Sequence, residues 1–214
     1  MRVIGYHFTH RTILLQMAAF ILCAVFAYSA QSQTRLDAGL QIGHSHNLGR
    51  SGPSEAVSVK AAYDADRYAV SGEFAYLFRD RKYTGQGSGY SLDARGSVYV
   101  KASERLRPFL FGGFLLRYND AGLFSKTATM PLIGGGVTIR TFTLQGSYLL
   151  PDFTSENRLH GLRLDAEHLA AISPRFYVAV RGYVERLNFL NPHLGELHRS
   201  GTRAALTIGI GIKR

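Results

Sequence analysis

Acids and bases recur at two-residue spacing in the second half of the chain: Arg163, Asp165 and Glu167, then Arg181 and Glu185 four apart. Asp93 and Arg95 lie upstream and Arg203 downstream. Residues two apart on an extended strand project from the same face. The pattern therefore concentrates both signs of charge on one side of a sheet. Charges taken out of water persist only as hydrogen-bonded pairs, so the chemistry implied is an ion-pair network rather than proton transfer. A tight hairpin through 171–174 would set Asp165 against Arg181 and Arg163 diagonal to Glu185.

Other reactive residue types are present without the company they need. His44-Ser45-His46 offers two alternate imidazoles, but a metal site takes three or four converging ligands and no third is near in sequence. The single Cys, Cys23, excludes a cysteine–zinc cluster. His160 and His168 fall on the apolar side of their strand, and Glu167 points away from its neighbour His168. No P-loop, dinucleotide fingerprint, HExxH or GxSxG is present. No catalytic residue, metal or cofactor is assigned. Arg79, Arg81 and Lys82 form a basic loop patch of the kind that meets lipid phosphates.

The chain is exported on this reading. Residues 1–12 carry Arg2 and Arg11 without an acid, Ile13 to Ala30 is mostly apolar, and small or polar residues follow. That is the layout of a signal peptide, assigned to 1–30, with the barrel described below as 31–214. An uncleaved membrane anchor is the competing reading, since the apolar run approaches a span in length. Leu22 before Cys23 argues against a lipoprotein cut. Export disfavours nucleic acid as a partner, although the formal charge is +10. Positive charge on an exported chain suits anionic lipopolysaccharide or anionic solutes instead. With 46% apolar and 19% charged residues the chain is too apolar for disorder.

The elements that must carry these charges are strands. Ten segments alternate apolar with small or charged residues. Leu36, Ala38, Leu40 and Ile42 make one row; Val57, Val59, Ala61 and Tyr63 another; Tyr68, Val70, Phe74, Tyr76 and Phe78 a third. Further rows follow through Val98, Ile133, Leu144, Leu164 and Val180 to Leu206, Ile208, Ile210 and Ile212. The stretch 107–118 (RPFLFGGFLLRY) is apolar on both faces and leaves its register open. Segments of about 9–12 residues suit tilted transmembrane strands. Links such as 64–67, 140–141 and 171–174 are short, whereas 44–55, 79–89, 119–129 and 188–200 read as long loops. Alternating short and long links mark an up-and-down membrane barrel with short periplasmic turns. Across 64–67 the tightest pairing sets Tyr63 beside Tyr68; across 140–141 it sets Ile139 beside Phe142. The expected fold is an all-β antiparallel transmembrane barrel of ten strands, or eight if two segments are irregular. Its narrow lumen would be filled by the charged rows.

Leu106–Tyr118 resembles the Pro-aromatic, Gly-rich strand of small bacterial outer-membrane barrels of the OmpA-like and opacity-protein type. Gly134–Gly136 with Val137, and Ala205–Ile212, are similar to the following and closing strands of that family. The chain departs from it by ending Lys213-Arg214 rather than in an aromatic residue. The resemblance implies outer-membrane residence after passage through the periplasm, contact with lipids and lipopolysaccharide, insertion by the barrel machinery, and a monomer. It also implies a structural, surface-interacting or minor pore role. Two alternatives stay open: a barrel enzyme acting on lipid A or peptides, and a soluble periplasmic barrel holding a small ligand.

Overall fold

The structure, a computed structural model, describes residues 33–47, 50–80, 87–100, 106–120, 126–151, 158–190 and 199–214. The expected leader at 1–30, and Arg81 and Lys82, lie outside them.

Ten strands follow in order: β1 Gln33–Asn47, β2 Arg50–Asp64, β3 Tyr68–Asp80, β4 Gly87–Tyr99, β5 Leu106–Asp120, β6 Lys126–Ile139, β7 Phe142–Leu149, β8 Arg158–Ala171, β9 Phe176–Leu190 and β10 Arg199–Lys213. Each pairs antiparallel with its chain neighbours, and β10 pairs with β1 to close the barrel. The even count brings both ends of the barrel chain together. Thr34 donates to the Arg214 carbonyl at 3.1 Å and Arg214 donates to the Thr34 carbonyl at 2.9 Å. We call this the terminal end; the turns after β2, β6 and β8 lie there too.

The alternating rows fall on opposite sides of the wall. Leu40, Ile42, Val98, Leu110, Leu162, Leu164, Ile208 and Ile210 face outwards and are between 57% and 66% exposed. Val59, Val70, Ile133, Leu144 and Val184 continue the row around the remaining strands. An apolar girdle on every strand far exceeds the isolated patches that water-soluble monomers display. Closure leaves no sheet edge unpaired, the condition for spanning hydrocarbon with strands. Aromatic rings pair towards both ends of the wall, though not all face outwards: Tyr68 is exposed and Tyr63 is buried. Tyr63 and Tyr68 lie 5.9 Å apart near the terminal end, and Tyr90 stacks between Tyr118 at 5.1 Å and Phe74 at 6.2 Å towards the far end.

Several local readings need correction. The segment 44–55 is not a long loop: β1 and β2 continue as a ladder to Asn47 opposite Arg50. Pro53 is tolerated there because the β3 ladder has stopped at Ser54, leaving that side of the strand free, and Pro cannot donate to a ladder. Pro131 and Pro108 sit likewise one residue past the last register pair of one neighbour. The strands run from 8 to 15 residues, beyond the expected range at both limits.

The β2–β3 hairpin keeps the expected faces but slides by two, pairing Tyr63 with Val70 rather than Tyr68. The wider turn is held by the Ala65 N–H donating to the Tyr68 carbonyl at 2.9 Å. A two-residue slip preserves which face is buried, so apolar patterning cannot exclude it. The β6–β7 hairpin has the expected register, with Ile139 opposite Phe142. Arg140 meets the demand of that tight turn by adopting φ 55°, the left-handed backbone that primed hairpin turns require.

Candidate functional site

The inward residues divide the lumen into an ionic side and an apolar side. On the ionic side, Arg95 on β4 holds Asp93 through Nε at 2.8 Å and Nη2 at 2.6 Å, and reaches Asp165 on β8 at 3.3 Å. Arg163 on β8 holds Asp165 at 2.6 Å and lies 3.4 Å from Asp93. Two arginines and two aspartates from opposite walls thus form one alternating quartet. The Arg163 guanidinium also lies 4.2 Å from the centre of the Tyr183 ring, a cation–π contact.

Other pairs brace further strand combinations. Arg181 on β9 hydrogen-bonds Asp37 on β1 and Ser58 on β2 and lies 3.4 Å from Glu73 on β3. Tyr177 donates its hydroxyl to Asp37 at 3.1 Å. Lys60 on β2 meets Glu167 on β8 at 2.6 Å. Arg117 on β5 grips Glu185 on β9 with two bonds, at 2.5 and 2.6 Å. These contacts join strands that are not hydrogen-bonded neighbours, so they fix the barrel's cross-section.

The structure places seven of the eight expected network residues in ion pairs, but not in the expected arrangement. On the β8–β9 hairpin Arg181 stands opposite Glu167, not Asp165, and Arg163 stands directly opposite Glu185. The Ala171–Phe176 link is wider than a tight turn, and even these register neighbours choose partners across the lumen. Arg203 stands opposite Glu185 in the β9–β10 register, and its Nε finds no hydrogen-bond partner among the described residues. Arg79 lies on β3 opposite Glu55 rather than in a loop.

Sequence reasoning missed Arg117, because it lies in the stretch whose two faces are equally apolar. The structure settles that register: Phe109, Phe111, Leu115 and Arg117 face inwards. Phe109, Phe111 and Leu115 join Met130, Leu132 and Leu149 in a buried cluster, so β5, β6 and β7 line an apolar side of the lumen. The expectation of a lumen filled by charged rows accounts for only part of it. Gly134 and Gly136 are the floor beneath the two rings. A Cβ at Gly134 would come within 2.7 Å of Phe111 Cζ, and one at Gly136 within 2.6 Å of Phe109 Cζ.

Among the described residues the histidines do not converge. His160 sits against Tyr148 at 6.4 Å on β8's outward row, and His168 faces outwards eight residues on. Among the described residues no group of three or more His, Cys, Asp or Glu is placed to hold a metal ion. Between the charged rows lies a cavity of about 380 Å³ that reaches the terminal end, where Gln33, Arg35, Arg140 and Lys213 line it.

No protein-family model matches the chain. No curated protein matches it either. Among solved structures it is similar to Neisserial surface protein A, with 13% identity over 84% of this chain and 96% of that one, at a TM-score of 0.46. It is also similar to the outer membrane protease OmpT from Escherichia coli, with 10% identity over 88% of this chain and 98% of that one, at a TM-score of 0.42. The N-terminal β-barrel domain of Pseudomonas aeruginosa OprF shows 12% identity over 86% of this chain and 98% of that one, at a TM-score of 0.36.

Proposed function

We propose that this chain is a non-enzymatic barrel of the bacterial outer membrane, serving a structural or surface-interaction role with at most minor pore activity. The observation that carries this reading is the apolar girdle on all ten strands around a lumen that encloses paired charges beside an apolar cluster. Only a hydrocarbon surround satisfies both at once. The 1–30 segment acts as the export signal, and the barrel machinery inserts the chain from the periplasmic side with the terminal end facing the periplasm. It resides as a monomer, its far-end segments around Arg79, Arg81 and Lys82 meeting lipopolysaccharide phosphates.

The test is expression of the full chain in a Gram-negative host, with membrane fractionation and gel migration of unheated and heated samples. Outer-membrane recovery with heat-modifiable migration is expected; recovery in the soluble periplasmic fraction overturns the reading. Two further measurements address the role. Planar-bilayer recordings are expected to show no steady porin-sized channel, because side chains fill the narrow lumen. Mass analysis of lipid A from expressing cells is expected to show no change.

A further inference from the structure

Arg35 and Lys213 stand directly opposite each other in the β1–β10 ladder, and both line the lumenal cavity at its terminal end. Like charges set opposite on one face of a sheet repel. The carboxylates facing the lumen at this end are already engaged. Asp64 takes Arg107 at 3.4 Å and the Tyr99 hydroxyl at 3.1 Å. Glu167 takes Lys60 at 2.6 Å, while Asp37 and Glu73 share Arg181. Arg140, on the β6–β7 turn, lines the same mouth. Six lumenal cations (Arg35, Lys60, Arg107, Arg140, Arg181 and Lys213) thus face four lumenal carboxylates (Asp37, Asp64, Glu73 and Glu167) towards this end. Among the described residues Arg35, Arg140 and Lys213 make no direct ion-pair contact, although Arg35 lies near enough to Glu167 to attract its carboxylate.

The rest of the wall at this mouth is rich in donors. Thr138, Thr141, Thr143 and Gln145 line it, with the Thr138 and Thr143 hydroxyls hydrogen-bonded to each other at 3.1 Å. The cavity that opens at this mouth, about 380 Å³ over its whole length inward to Leu115 and Arg117, is the size of a small-molecule site. Low-dielectric walls lined by one sign of surplus charge focus the field on a counter-ion.

We propose that the terminal-end vestibule binds a small oxyanion of the phosphate class, held between Arg35 and Lys213. Arg35 offers a planar fork to two oxygens and Lys213 a point charge, a division suited to a tetrahedral anion. The phosphate can be free or carried on a lipid headgroup reaching over the rim; the chemistry is shared, and the experiment separates the sources. The proposal needs only the folded barrel and stands whether or not the chain resides in the outer membrane.

The test uses the barrel folded in a neutral maltoside detergent. Thermal unfolding and calorimetric titration are run with inorganic phosphate against chloride at matched ionic strength, for the native chain, Arg35→Gln/Lys213→Gln and Arg35→Lys. Native barrel should show saturable stabilisation by phosphate beyond that by chloride. The double glutamine variant should lose affinity by about tenfold or more, and Arg35→Lys should retain most of it. Equal responses to phosphate and chloride, or to phosphate in native and double-variant barrels, overturn the proposal. If the double variant does not fold, each single glutamine variant carries the same comparison. A second arm compares uptake of phosphate by barrels in neutral vesicles and in vesicles containing phosphatidic acid. Competition by the lipid identifies a headgroup source, and undiminished uptake identifies the free anion.

Discussion

Arg117 crosses the lumen from β5 to clamp Glu185 of β9 with hydrogen bonds at 2.5 and 2.6 Å, and Glu185 is only 1% exposed. A carboxylate so enclosed depends on its guanidinium, since an isolated buried charge is far more costly than a paired one. Glu185→Leu alone should therefore destabilise the barrel by about 3–5 kcal/mol, whereas Arg117→Met/Glu185→Leu should lie within about 2 kcal/mol of the native chain. Denaturant unfolding of all variants in vesicles measures the difference. Additive losses would remove the pair from its bracing role.

Arg181 serves three strands at once through Asp37, Ser58 and Glu73. Arg181→Met leaves Asp37 with only the Tyr177 hydroxyl. A loss of about 3 kcal/mol or more is expected, seen as a lower midpoint for heat-modified migration. An unchanged midpoint would mean that Asp37 is stabilised by solvent rather than by Arg181.

The glycines of β6 make a sharper test because the contact is steric. A side chain at Gly134 meets the Gly146 carbonyl oxygen at 2.2 Å as well as Phe111, whereas one at Gly112 finds nothing nearer than 3.7 Å. Gly134→Ala should cost about 1–3 kcal/mol, as overpacking does, and Gly112→Ala about 0.5 kcal/mol or less. Thermal unfolding of both in the same detergent decides it; equal costs would mean that the Phe111 ring does not rest on Gly134.

How much of this was legible in the sequence follows from the period of two. The period shows in the β1 and β10 rows, where Leu40 and Ile208 alternate with small or polar residues, and it fixes which face looks outwards. It says nothing about slips of two residues, so Tyr63 was set beside Tyr68 when Val70 is its partner. It fails where both faces are apolar, and there Arg117 and the inward Phe109 and Phe111 went unassigned. Partners across the lumen were beyond reach for a different reason. Lys60 and Glu167 are 107 residues apart and meet only after closure, and no local pattern records that distance. Asp37 and Glu73 lie on β1 and β3, and only closure brings both to Arg181 of β9.

The β6–β7 turn tests backbone strain separately from contacts. Arg140 holds φ 55°, a left-handed conformation that costs a residue with a Cβ about 1–2 kcal/mol. Arg140→Gly relieves it at some expense in unfolded-chain entropy. A net gain of about 0.5–1 kcal/mol is expected, with Arg140→Val losing about 1–2 kcal/mol because β-branching suits that conformation least. Two equal effects in denaturant titrations would place the strain elsewhere.

The outward pair Leu40 and Ile208 distinguishes a hydrocarbon surround from water. The two residues are register partners on β1 and β10, 66% and 57% exposed, midway along their strands. In water, an arginine at either position touches solvent and should shift stability by about 0.5 kcal/mol or less. At the middle of a bilayer the same change should cost about 2–4 kcal/mol. Leu40→Arg and Ile208→Arg should therefore be strongly destabilising in lipid vesicles. Ser71→Arg, lining the lumenal cavity, makes the comparison within one barrel: its effect should not follow bilayer thickness, whereas the Leu40→Arg penalty should fall in thin, short-chain lipid. A Leu40→Arg penalty that stays near zero in every lipid would mean that these rows never touch acyl chains.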